Sequence, residues 1–373
     1  MSLLSFDLEL RAGVDSENPF HFAAEGSIDA PITGVFGPSG AGKTTLLHAI
    51  AGLRSVDRGS LTLSGRRLFD RAQGIDEPPE ERRIGVVFQD GRLFPHLDVA
   101  ENLRFARPPA GDPAPDFGEV VELLDLGGLL DRVPSELSGG ERQRVALGRS
   151  LLAGPRVLLC DEPLASLDRA RREQILPFLR RLPDRFGIPL IYVTHELSEL
   201  LTLTSRLMLF ADGRLTAHGE YRDLAMSEAW QPLGRSSEVG GRANVIPGTV
   251  RSVEGGVTRV ALGRAGLGKT AEAPELLVVD DSFAEGDAVQ VSIGAEEIAL
   301  ARGDLPETSI QHQLSMDVDR RFDTAGASVV ELRTAGVRWL VEITTDSANR
   351  LGLTEGSQIW ALIKASAPRL SRR

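Results

Sequence analysis

A single cysteine, Cys160, occurs in the 373 residues. A disulfide framework within the chain is excluded, and a reducing compartment fits. Apolar runs are short. None approaches the ~18 residues that a membrane-spanning helix needs, so no span is expected. The opening Met1-Ser2-Leu3-Leu4-Ser5-Phe6-Asp7 lacks a basic stretch followed by an apolar core, and no signal peptide is expected there. Positive charge is in deficit. The 42 Lys and Arg face 53 Asp and Glu, a net charge of −11, which is the wrong sign for a general nucleic-acid binder. Lysine itself is scarce: Lys43, Lys269 and Lys364 are the only three. In so arginine-rich a chain, each lysine marks a place where a compact ammonium could be needed.

What is present is ordinary for a globular protein, 42% hydrophobic and 25% charged. The length corresponds to two or three domains of about 150 residues each, enough to bury a core without staples. From residue 1 to about 230, strand-like apolar runs (Ile32–Phe36, Ile84–Phe88, Val157–Cys160, Leu190–Val193) alternate with amphipathic helical patterns. The helical patterns cover Lys43–Ala51, Glu119–Leu124, Glu141–Leu152, Arg169–Arg181 and His195–Thr202. The alternation predicts a mostly parallel sheet covered on both faces. Arg107–Phe117, rich in proline, reads as a loop, and Gln231–Ala243 as a linker. Beyond it, runs of about five residues recur between Gly and Asp turns, which predicts an all-β region. Glu285–Ile293 and Glu355–Ile363 both read as a glycine turn entering an alternating strand, and predict two related small barrels over 245–302 and 306–370. The expected boundaries are 1–232, a linker 233–243, and 244–373.

Gly37-Pro38-Ser39-Gly40-Ala41-Gly42-Lys43-Thr44 fits the phosphate-loop pattern between a strand and a helix. Glycines let backbone N–H groups turn in around a phosphate, and the helix N-terminus adds partial positive charge. Lys43 would reach the outer phosphates, and Thr44 would ligate Mg²⁺. The pattern alone is weak. Gly263–Thr270 matches it too, but Glu272, Ala273 and Pro274 leave no room for a helix and crossover, so that match reads as a β-turn. The first match gains weight from Val157–Cys160, a strand ending in Asp161 and Glu162. Asp161 would hold Mg²⁺, and Glu162 would orient or deprotonate an attacking water. Leu137-Ser138-Gly139-Gly140-Glu141 opens a second helix and offers a second anion cradle, or an ordinary N-cap. A second cradle implies a site shared between two chains.

These motifs together resemble the ATP-binding subunits of ABC transporters. The phosphate loop Gly37–Thr45, Gln89, Leu137–Glu141, Leu158–Glu162, Ser166-Leu167-Asp168 and His195 stand in that family's order. The resemblance implies an α/β P-loop NTPase with a helical subdomain, followed by an all-β domain of small OB-like barrels. It implies a head-to-tail homodimer in which ATP lies between Gly37–Thr45 of one chain and Ser138–Gly140 of the other. Thr45, Glu141 and Asp168 then belong to the ATP site, Gln89 senses Mg²⁺ and the γ-phosphate, and His195 contacts the γ-phosphate beside the base Glu162. Glu141 stands where Gln is commonest, and no adenine platform is assigned among Phe20, His21 and Phe22.

A single ATP-binding domain without a membrane span is similar in layout to bacterial importers. Their implied partners are a permease dimer in the inner membrane, on whose cytoplasmic face the chain would sit as a peripheral subunit, and a separate extracytoplasmic substrate-binding protein. Residues 306–370 resemble a Mop-type molybdate-binding domain through Glu307–Ile310, Leu351–Gly356 and Ile363–Ser366. Phe88–Leu97 and Asp161–Asp168 are similar to the molybdate-importing branch. The cargo implied is molybdate, with tungstate as a further candidate, and the oxyanion residues would be Thr308, Ser309, Lys364 and Ser366. Gln311 and His312 stand where that domain usually has Ser-Ala-Arg-Asn or similar, so a strong oxyanion donor is missing. A barrel that only helps the subunits pair is the other reading. Sulfate, ferric iron, sugar or polyamine import by the same machine remains an alternative. A DNA-repair or translation ATPase would carry a long coiled-coil or zinc insertion or a second ATPase domain, none of which is seen in this sequence, and a storage protein would not need six ATPase motifs.

Overall fold

The computed structural model describes residues 2–12, 20–105, 108, 114–165, 167–234, 241–263 and 274–372. The chain divides into two compact units, Met1–Tyr221 and Arg222–Arg373.

The first unit is built on an eleven-stranded sheet. One half is parallel: Arg206–Ala211, Ile32–Phe36, Leu190–Val193, Val157–Asp161 and Ile84–Val87 lie side by side in that order, the last at the sheet's edge. The other half is antiparallel, running through Leu4–Ala12, Phe20–Ile28, Arg58–Leu63 and Arg66–Asp70. The expectation of a mostly parallel sheet is thus corrected to a mixed one. The local cause is hairpin chemistry. Ser64-Gly65 and Asp212-Gly213 take positive φ at both positions between paired Leu63/Arg66 and Ala211/Arg214. Such two-residue turns match the twist of antiparallel strands.

One face of the parallel strands carries the helix Lys43–Ala51, whose Leu46, Leu47 and Ile50 are fully buried in a cluster with Val35, Leu159, Ile191 and Val193. The strands there are mostly apolar, as double-sided burial requires. Arg82, 3% exposed, closes that helix: Nη1 donates to the carbonyls of Ala49 and Ile50 at 3.0 and 2.9 Å, and Nη2 pairs with Asp76. A cation on the last carbonyls complements the helix dipole. A helical group is formed by Val99–Phe105, Phe117–Leu123 and Gly139–Leu152. Gly148 permits the close crossing, since a Cβ there would stand 2.8 Å from Leu103.

The second unit holds two five-stranded sheets. The repeat seen in sequence is matched bond for bond. Val250 and Val318 each give N–H to a residue before a strand (Asp287, Ser357), and each carbonyl receives the N–H of a turn glycine (Gly286, Gly356). Both long strands, Ala243–Glu254 and His312–Asp323, are irregular just after that valine. The expected barrel limits are altered by an exchange. Ala299–Ala301 pairs with Gln358–Ile363 of the second sheet, and Arg369–Arg372 pairs with Ala288–Gly294 of the first. A short helix, Thr345–Leu351, interrupts the all-β pattern. Glu331, fully buried, lies 2.8 Å from Arg320 Nε and 3.4 Å from Arg222 Nη1.

The contact boundary falls ahead of the expected linker because residues 222–234 pack with the second unit. Arg242 donates to Ala225 O at 2.7 Å and lies over the Trp230 ring, and Arg320 pairs with Asp223. Residues 235–240 of the linker and most of the Arg107–Phe117 loop lie outside the described residues. So does 264–273, which holds most of the second phosphate-loop match and Lys269. The strands flanking that match, Val257–Leu262 and Glu275–Val278, pair antiparallel, so the parallel crossover of a phosphate-loop unit is absent there.

Candidate functional site

The phosphate loop lies at the C-terminal end of Ile32–Phe36. Its path depends on close backbone approach: a Cβ on Gly37 would stand 2.2 Å from Phe210 O. The Asp212-Gly213 turn braces it, with Gly213 N–H donating to Ala41 O at 3.1 Å. Lys43 is buried. Its Nζ donates to the carbonyls of Gly37 and Pro38 at 2.8 and 2.9 Å, so the ammonium lies inside the loop's curve. Gly42, with φ of 100°, precedes the helix, and Gly40 has open space where a Cβ would point. Thr45, also buried, accepts from Arg54 Nη1 at 3.2 Å.

Thr44 Oγ1 donates to Asp161 Oδ1 at 3.1 Å, which brings together two motifs 117 residues apart in sequence. Burial raises the Asp161 carboxyl, and the Thr44 hydrogen bond works in the opposite direction. A hydroxyl and a carboxylate oxygen at that separation are hard oxygen donors of the kind Mg²⁺ takes, and the anion cradle lies beside them. The residues present fit a magnesium–nucleotide pair.

Glu162 follows in the left-handed region, with φ of 44°, and its N–H donates to Val193 O at 3.0 Å. A non-glycine residue there is strained, and such strain clusters at functional sites. It turns the carboxylate toward the next strand's end, where Oε2 lies 3.3 Å from His195 Nδ1. The expected helix His195–Thr202 begins only at Leu197. Thr194 Oγ1 accepts from Glu196 N–H at 3.1 Å, which holds His195 in a loop instead of a helical turn.

Gln89 lies exposed just after Ile84–Val87. Ser138 and Glu141 form a capping box: the Ser138 hydroxyl accepts from Glu141 N–H at 3.3 Å, and Glu141 Oε2 accepts from Ser138 N–H at 2.7 Å. That bond holds the Glu141 carboxyl below its ordinary value. Glutamate at this position therefore completes the cap, and Gly139 and Gly140 are left as the first amides of the helix, which have no intrahelical acceptor. Asp168 caps Arg169–Phe186 and pairs with Arg171. Ser166 lies outside the described residues. Cys160 is buried in its strand, and burial pushes its thiol well above the ordinary range, so it is inert.

Thr308, Ser309, Lys364 and Ser366 are all exposed. They lie on two segments running off the same end of one sheet, where His312 pairs with Ile363. His312 turns inward, with Nε2 2.9 Å from Leu277 O and 3.1 Å from its N. Sequence reasoning overlooked Arg82, which no local pattern distinguishes from other arginines. It also overlooked Arg172, whose Nε donates to Leu167 O at 2.9 Å and whose Nη1 lies 3.4 Å from Glu196.

A phosphate loop, a threonine–aspartate pair and a strained glutamate on such a sheet define an ATPase of the ABC class. An ABC transporter profile matches residues 29–165, and a TOBE domain profile matches 308–369. The molybdenum import ATP-binding protein ModC of Paramagnetospirillum magneticum is 39% identical over 368 residues, 97% of each chain. That of Brucella abortus is 42% identical over 348 residues, 92% of this chain and 91% of its own. The solved structure of cbiO1 from Clostridium perfringens, part of the ABC transporter complex cbiONQ, shares the fold. Its TM-score is 0.51 at 24% identity, over 60% of this chain and 90% of that one. The chain belongs to the family of molybdenum import ATP-binding proteins. Among the described residues, no helix is long and apolar enough to cross a membrane.

Proposed function

We propose that this chain hydrolyses ATP to energise import of molybdate, with tungstate as a second cargo, through a separate membrane permease. The observation that carries it is likeness to a molybdenum import relative across 97% of both chains, the C-terminal region included. In this reading the amides of Gly37–Thr45 and the Lys43 ammonium bind the phosphates. Thr44, Asp161 and Gln89 would hold Mg²⁺, which would offset phosphate charge when bound. Glu162 takes the proton of the attacking water, and His195 meets the γ-phosphate. Ser138–Gly140 completes the site of a second copy, and Asp168 lies at that junction. Two copies sit on the cytoplasmic face of the inner membrane against a permease dimer, served by an extracytoplasmic binding protein. The exposed Thr308, Ser309, Lys364 and Ser366 take an oxyanion only where a second surface covers them.

The test is uptake in vesicles holding the permease with which the chain co-purifies. ATP-dependent accumulation of molybdate, lost in Glu162→Gln, is expected. Uptake of sulfate or another cargo in place of molybdate overturns the cargo assignment.

A further inference from the structure

The strand Leu190–Val193 is buried along its whole length. Ile191 and Val193 face the phosphate helix and join its cluster. Tyr192, fully buried, points to the opposite face, where its hydroxyl donates to the Glu199 carboxylate. Glu199 is itself 7% exposed and lies on Leu197–Leu203, the helix that follows His195. That helix is pressed on the sheet. Leu200 fills the space where a Gly34 Cβ would be, 2.8 Å away, and Thr204 Oγ1 donates to Ile32 O at 2.8 Å. The apolar contacts of Leu197, Leu200 and Leu203 are non-directional and set distance more than register. A hydrogen bond is directional. The Tyr192–Glu199 bond joins the strand before His195 to the helix after it.

We propose that Tyr192 and Glu199 are positioning residues for His195, fixing the strand-to-helix loop that carries it. The proposal rests on the reading of His195 as the group that meets the γ-phosphate. The surroundings of the pair give it a pH signature. Glu199 faces Tyr192 from the strand, Arg172 from the helix Arg169–Phe186, and Glu196 and His195 from its own loop. Tyr192 also faces Cys160 of the neighbouring strand. Burial dominates and raises Glu199 to about 7, with the Tyr192 hydrogen bond opposing. The charge beside His195 therefore changes in the neutral range.

The experiment is steady-state ATP hydrolysis by the whole chain from pH 6 to 9, with melting temperatures, for the parent, Tyr192→Phe, Glu199→Gln and His195→Ala. In Tyr192→Phe, kcat falls about ten-fold, as small misplacements of a reacting group do, while KM for ATP stays within about two-fold. Its limb near pH 7 moves to higher pH, because the hydroxyl that favours the carboxylate is gone. In Glu199→Gln that limb disappears. Parent-like profiles and kcat in both variants overturn the proposal, and so does a joint loss of kcat, ATP binding and melting temperature. If Glu199→Gln does not fold, the limb of Tyr192→Phe decides alone. Undiminished turnover in His195→Ala overturns the underlying reading of His195 and is recognisable as that failure.

Discussion

His195 Nδ1 and Glu162 Oε2 lie 3.3 Å apart, at the ends of two adjacent parallel strands. The glutamate reaches that point because its backbone is in the left-handed region, where its φ is 44°. Glu162→Gln keeps the side chain's shape and its contact with His195 but cannot take a proton. Turnover is expected to fall on the order of 10²–10⁴-fold, the usual contribution of a general base, with ATP affinity retained. Steady-state hydrolysis and nucleotide titration check this, and an unchanged kcat removes Glu162 from the role.

Gly37→Ala places a methyl 2.2 Å from Phe210 O, a backbone atom that cannot swing aside. The expected cost is roughly 1–3 kcal/mol of stability, as for other overpacking. Nucleotide affinity falls with it, because the amides of Ser39–Thr44 lose their common centre. Urea unfolding with and without ATP measures both.

Arg82→Met removes the donor to Ala49 O and Ile50 O and leaves Asp76 without its partner. Ala49 O keeps the Gly52 N–H, but a buried carbonyl left without its donor, as Ile50 O would be, costs about 1–3 kcal/mol. The urea midpoint should fall accordingly, with the m-value unchanged. A variant as stable as the parent shows that Arg82 is not the clamp of the phosphate helix.

Glu199 also predicts a pH dependence of stability. Its folded value, about 7, lies above its ordinary 4.5, so between those values the native state holds a proton that the unfolded chain has released. Stability from this group is fully present below the unfolded value and is lost as pH rises to the folded one. The parent should lose up to about 3 kcal/mol relative to Glu199→Gln between pH 4.5 and pH 8. Parallel stability curves for the two proteins contradict this.

The candidate site was legible in the sequence to the extent that each cradle is made of consecutive residues. Gly37–Thr44 and Ser138–Glu141 each need only a turn and a helix start, and local spacing encodes those. The strands Ile32–Phe36 and Leu190–Val193 and the helix Lys43–Ala51 have the expected limits. The antiparallel half of the sheet was not anticipated, although Ser64-Gly65 and Asp212-Gly213 mark two of its hairpins. The Tyr192–Glu199 bond leaves only a spacing of three residues before and four after His195. The pairing of Arg369–Arg372 is silent in sequence, because four residues show no period and their partner strand lies some eighty residues away.

That last pairing has a consequence for how the chain is made. Val289 meets Arg372, and Ser292 meets Arg369. The earlier sheet therefore keeps an open edge until residues 369–372 have left the ribosome, by which time the later sheet has been synthesised. Clipping those four residues should harm the sheet that precedes them by one whole repeat and spare the one beside them in sequence. The two halves are linked like a clasp, and neither can be lost, swapped or grafted without the other.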